Sequence, residues 1–217
     1  MTRLTQLNND DYRYLTDDDQ CFYYGEYTSG GGFGASDTNQ QILNLKNRPT
    51  SPEARLYYKT RAIDYWARKI AGALDLPAVA QSATFVPMPC SKPVGHPEYD
   101  DRMLRVLNGL LRFTPGLDIR PLLIQTVLRN SQHEGGRLSP AQLRETMAVD
   151  QLQLGRPLKP YVVILDDVIT MGASFNAARG LINAIPGESS IIGIFLAKTV
   201  WPPSELDDFI NLRPIKI

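Results

Sequence analysis

Histidine, cysteine, net charge and long apolar runs are all scarce in this chain, and each shortage narrows what it can be. Two histidines and two cysteines stand among its 217 residues. The cysteines, Cys21 and Cys90, form no CxxC or zinc-type spacing, so free thiols in a reducing cytoplasm are expected rather than a disulfide framework. Lysine plus arginine and aspartate plus glutamate balance at 23 each. Bulk electrostatics therefore argue for neither nucleic acid nor a membrane surface. No apolar run approaches a bilayer span, and the polar opening Met1-Thr2-Arg3-Leu4-Thr5 lacks a signal-peptide core. There is no internal repeat and no low-complexity tract. The length suits one α/β domain with an elaborated end.

What is present is concentrated between Tyr161 and Ser174. Tyr161-Val162-Val163-Ile164-Leu165 is aliphatic and β-branched without polar alternation, the pattern of a strand buried on both faces. Asp166 and Asp167 end that run, where a parallel strand reaches the carboxyl edge of its sheet and ligand crevices open. Val168, Ile169 and the small-residue turn Thr170-Met171-Gly172-Ala173-Ser174 follow, and helix is expected from Phe175. Strand, glycine-containing turn and helix start form an anion cradle, in which N–H groups and the helix dipole favour negative charge. Carboxylates for hydroxyls or a metal beside a cradle for phosphate describe a sugar phosphate site.

The stretch Val162–Ser174 resembles the thirteen-residue phosphoribosyl pyrophosphate (PRPP) signature of the type I phosphoribosyltransferases, in order four apolar residues, two acids, two apolar residues, Thr, any residue, Gly and two small residues. The resemblance implies that Asp166 and Asp167 face the ribose hydroxyls and hold Mg²⁺ through water or through PRPP. It implies a 5′-phosphate loop of Val168, Thr170, Met171, Gly172, Ala173 and Ser174. The implied fold is a largely parallel sheet flanked by helices, with a small amino-terminal hairpin as a hood.

Along the chain, residues 1–20 are polar and acidic and read as a loosely held arm or solvated turns. Residues 21–217 would form the domain, with the hood over about 21–50 and the core over about 51–200. Cys21–Tyr27 and Gln41–Lys46 read as a hairpin around the glycine run Gly30-Gly31-Gly32, a hairpin tip or flap. Ser51-Pro52-Glu53 opens a helix to about Leu74, with Ser51 as N-cap. Its recurring Tyr58, Ala62, Tyr65, Trp66, Ile70 and Ala73 place Trp66 in the core. Ala83–Val86 is a second buried strand.

Pro87-Met88-Pro89-Cys90-Ser91-Lys92-Pro93 follows at that strand's edge. It is similar to the P-x-P element of the ComF-like branch, within reach of the amidophosphoribosyltransferases. The resemblance implies that Ser91 and Lys92 contact pyrophosphate; a proline-stiffened connector is the other reading. The pair Asp100-Asp101 replaces the amides usual in that branch and either selects a cationic or donor-rich acceptor, or holds Mg²⁺ through water, or caps the next helix. His96 reads as a surface histidine. Leu122–Leu128 is strand-like and ends at Arg129. Residues 130–137, with two glycines, stand where type I enzymes carry a closing loop, so Arg129 or Arg137 can meet pyrophosphate. Leu138-Ser139-Pro140 opens a short helix, and Ser190–Ala197 is another buried strand.

The implied activity is phosphoribosyl transfer from PRPP to a nitrogen acceptor with release of pyrophosphate. The alternative is a non-catalytic PRPP- or nucleotide-binding regulator, or an effector whose terminal segments dock a partner protein. A homodimer is open under either.

Overall fold

The computed structural model describes residues 3–129 and 138–202. In chain order its strands and helices are β1 (Thr5–Gln6), β2 (Gln20–Thr28), α1 (Asp37–Leu45), α2 (Glu53–Ala71), α3 (Leu76–Ser82), β3 (Ala83–Pro87), α4 (Arg102–Gly109), β4 (Asp118–Ile119), β5 (Leu123–Gln125), α5 (Pro140–Glu145), β6 (Met147–Val149), β7 (Tyr161–Ile169), α6 (Ala173–Ile182) and β8 (Ser190–Val200). The main sheet runs β1-β2-β8-β7-β3-β4. All its pairings are parallel except that of edge strand β1 with β2. Strands β5 and β6 form a separate antiparallel pair.

The sheet is buried on both faces, which is why its central strands are apolar without alternation. On one face Val163 and Leu165 of β7 and Phe85 of β3 pack with Trp66 and Ile70 of α2 and Val106 and Leu107 of α4. On the other, Val162 and Ile164 meet Phe175, Ala178 and Ile182 of α6. Trp66 is fully buried, as its helical spacing predicts. Truncating an aromatic at such a site typically costs about 3–5 kcal/mol. Tyr58 is instead exposed, and α2 ends at Ala71, before the expected Leu74. Pro52 rather than Ser51 takes its N-cap position.

The expected amino-terminal hairpin is not formed. Cys21–Tyr27 lies in β2, a parallel partner of β8, and Gln41–Leu45 belongs to helix α1. Buried Asn39, Ile42 and Leu45 recur at helical spacing. The Asn39 amide bonds both the N–H and the carbonyl of Thr28 (2.9 Å each), which ties the helix to the end of β2. Gly25 lets α1 approach, since a Cβ there would come 2.5 Å from Thr38 Oγ1. The arm is not loose either. Leu7 and Tyr12 are buried, and β1 pairs with β2.

Strand β5 covers only Leu123–Gln125 of the expected Leu122–Leu128. The Ser139 start of α5 is a full capping box with Gln142, and β8 extends the expected strand to Val200. Among the described residues, no helix is long and apolar enough to cross a membrane.

Candidate functional site

Strand β7 delivers both carboxylates to the carboxyl edge of the sheet. Successive side chains on a strand leave on opposite faces, so Asp166 and Asp167 acquire different surroundings. Asp167 turns toward the α1 and α4 side. Its Oδ2 accepts from Arg102 Nε (3.1 Å) and Nη2 (2.7 Å), and its Oδ1 accepts from Val168 N–H (2.6 Å). Lys46 Nζ lies 3.5 Å away. Asp166 lines the cleft and accepts from the Asp167 N–H (2.7 Å). Burial, then the Asp167 carboxylate, push its pKa up to about 7, against the opposing pull of the Asp167 N–H, Arg102 and Lys46.

Beyond them the chain turns at Gly172, whose φ of +83° falls in the left-handed region that favours glycine. No side chain caps α6 at this residue. The N–H groups of the first turn, at Ala173 and Ser174, have no acceptor within their own helix. The Thr170 hydroxyl meets Thr199 Oγ1 of β8 at 3.0 Å. Helix thus begins at Ala173, two residues before the sequence suggests.

The loop after β3 forms the opposite wall. Met88 N–H donates to Leu165 O (2.9 Å), which seats the loop against β7. Lys92 Nζ donates to the Arg129 carbonyl (3.4 Å), and Arg129 N–H donates to Ser91 O (3.3 Å). The Arg129 guanidinium bonds Gln125 Oε1. Burial lowers its pKa, while Asp166 and Cys90 counteract that. Cys90 accepts from Asp100 N–H (3.3 Å) and donates to Lys92 O (3.3 Å), a bracing role. Both thiols are free, Cys21 buried and Cys90 half-buried.

All these groups open on one cleft of about 640 Å³, lined by Ser91, Lys92, Arg129, Asp166, Asp167, Val168 and the residues from Thr170 to Ser174. Arg13, Tyr14, Tyr27, Lys46, Arg48 and Arg102 also line it, and sequence reasoning assigned none of these a place in the PRPP site; Asp100, for which it offered an acceptor or Mg²⁺ role, lines it too.

The acidic pair before α4 meets one of its expectations in part: Asp100 Oδ1 accepts from the N–H of Arg102, the first residue of α4 (3.2 Å). Asp100 is buried and accepts from Lys59 Nζ (2.7 Å) and Arg102 Nη1 (2.8 Å), so its charge is neutralised from within. Asp101 occupies the N-cap position without capping the helix through its side chain. Asp100, held by Lys59 and Arg102, is not set out to recognise a cationic acceptor. His96 is half-buried, its Nδ1 accepting from Glu98 N–H (3.0 Å).

Among the described residues, no group of three His, Cys, Asp or Glu could hold a metal. Asp167 is engaged by two cations, which leaves Asp166 as the carboxylate suited to a metal held jointly with a phosphate ligand. Segment 130–137, including Arg137, lies outside the described residues. No protein-family model and no curated protein matches this chain.

Proposed function

We propose that the chain binds PRPP in this cleft and transfers its 5-phosphoribosyl group to a nitrogen acceptor, releasing pyrophosphate. One observation carries the reading: a carboxylate, a glycine-centred helix start and a lysine-bearing loop converge on a single cleft from β7, α6 and the end of β3. In this scheme the turn from Thr170 to Ser174 holds the 5-phosphate and Asp166 accepts from the ribose hydroxyls. The acceptor nitrogen bonds to C1 as the C1–oxygen bond to pyrophosphate breaks. The electron pair leaves with pyrophosphate, and the nitrogen loses its proton to water.

Negative charge grows on the leaving group, so Lys92 and Arg129 act most strongly in the transition state. Mg²⁺ bound with PRPP would supply further charge stabilisation, held by Asp166 through water and otherwise by the ligand's own oxygens. Mg²⁺ bound there would oppose the upward shift of the Asp166 pKa, because a neighbouring cation favours the ionised carboxylate. A reducing cytoplasm is the compartment we propose.

A second reading, PRPP or nucleotide binding without turnover, is favoured by the Asp167 ion pairs, which leave one carboxylate rather than two open to the ribose. Two measurements separate these readings. PRPP with Mg²⁺ should raise the melting temperature, since a ligand bound only by the folded state stabilises it. Pyrophosphate should then appear with at least one member of a panel of nitrogen acceptors. A shift without pyrophosphate supports the regulator, and no shift overturns both.

A further inference from the structure

The amino-terminal arm closes the phosphate end of the cleft. Tyr14 N–H donates to the Met171 carbonyl of the turn (3.1 Å), and the Asn176 side-chain amide donates to the Tyr14 carbonyl (3.0 Å). Leu15 lies against Gly172 so closely that a Cβ there would come 2.9 Å from Leu15 Cδ2. Farther along the arm, Arg179 of α6 donates to buried Asp19 and to Thr16. Residues 14–19 are therefore fastened to both the first turn and the body of α6.

These ties set Arg13 on the wall of the cleft, its guanidinium 5.4 Å from the Tyr14 ring centroid. The other cations of the wall have partners: Lys46 and Arg102 at Asp167, Arg48 at Glu98, Lys92 at the Arg129 carbonyl and Arg129 at Gln125. Among the described residues, Arg13 makes no ion pair. We infer that Arg13 binds the 5-phosphate of the ligand, so that the phosphate site is built from the arm as well as from the turn.

The assignment rests on the proposed PRPP reading and adds to it a residue more than 150 positions away in sequence. Neutral N–H groups and a helix dipole attract a phosphomonoester but do not cancel its charge. A guanidinium does, and its planar fork matches two phosphate oxygens at once. Stacking over Tyr14 orients that fork before the ligand arrives.

Isothermal titration with three probes tests the assignment: ribose 5-phosphate, which has only the 5-phosphate; pyrophosphate, which has only the leaving group; and PRPP, which has both. Arg13→Ala should weaken ribose 5-phosphate and PRPP by about tenfold each, the worth of one charge-assisted contact, and leave pyrophosphate unchanged. Lys92→Ala should show the reverse selectivity. Arg13→Lys should recover part of the loss, and unaltered melting of the apo variants would confirm that the fold is intact. Wild-type affinity for ribose 5-phosphate in Arg13→Ala, or an equal loss for pyrophosphate, overturns the assignment alone. A wild type that binds neither ribose 5-phosphate nor PRPP overturns the PRPP reading and the assignment with it.

Discussion

Replacing Lys59 with methionine tests how the site is held from behind. The ammonium is buried and donates to Asp100 and to the Asn47 carbonyl, each at 2.7 Å. Asp100 in turn holds Arg102, and Arg102 forks onto Asp167. Methionine keeps most of the apolar stem and removes the charge. Deleting one member of a buried ion pair costs about 3–5 kcal/mol when its partner is left alone. Here Arg102 still neutralises Asp100, which lowers the cost. The Asn47 carbonyl, however, loses a donor, worth roughly 1–3 kcal/mol. Burial also lowers the Lys59 pKa against the pull of Asp100, so desolvation already offsets part of the attraction. The net expectation is a loss of about 2–4 kcal/mol. For a chain of this length that lowers the melting temperature by about 5–15 °C. Urea unfolding should show a lower midpoint at unchanged slope. Lys59→Met combined with Asp100→Leu should lose less than the two single changes summed, because they share one contact. A loss below about 0.5 kcal/mol, the range of ordinary surface changes, would refute the claim that this chain of charges anchors Asp167.

Three further outcomes are expected. Asp166 has a folded pKa raised to about 7 from an ordinary 3.8. The native state therefore holds the extra proton between those values, and stability present below the lower one is lost as pH rises through the upper one. Asp166→Asn should then raise the apo melting temperature at about pH 8 and change it little near pH 4; equal effects at both would contradict the shift. Gly172→Ala should destabilise by about 1–3 kcal/mol through its left-handed backbone and its contact with Leu15, and adding Leu15→Ala should restore only the contact part, as thermal unfolding would show. Lys92→Ala should lower turnover more than PRPP affinity, because charge on pyrophosphate grows as the bond breaks; equal losses would remove its transition-state role.

The strands around the site were legible because burial on both faces leaves an unbroken apolar run, as in β3, β7 and β8. The capping box of α5 was legible because it is local, closing within three residues of Ser139. Helix α1 was misread because Gln41–Lys46 is too short to separate period two from period 3.6. Contacts outside it, Asn39 with Thr28 and Thr38 over Gly25, fix its identity. The signature exposed Asp166, Asp167 and Gly172, but not the difference between the two acids. That difference comes from Arg102, 65 residues from Asp167 in sequence, and from Lys46 at the end of the misread segment. Spacing carries no trace of such pairings. Crowding at Gly172 likewise comes from Leu15 of the arm, which composition alone presented as solvated.

Calorimetric titration of PRPP with Mg²⁺ into the wild type and into Asp166→Asn tests the central claim most directly. Asp166→Asn is preferable to any change at Asp167, whose loss would also leave Arg102 and Lys46 without their carboxylate. At about pH 8, above the raised Asp166 pKa, the account predicts saturable one-to-one binding to the wild type and a loss of at least tenfold in the variant, as expected when an ionised acceptor is removed. Equal affinity in the two proteins, or no binding to the wild type, would contradict it.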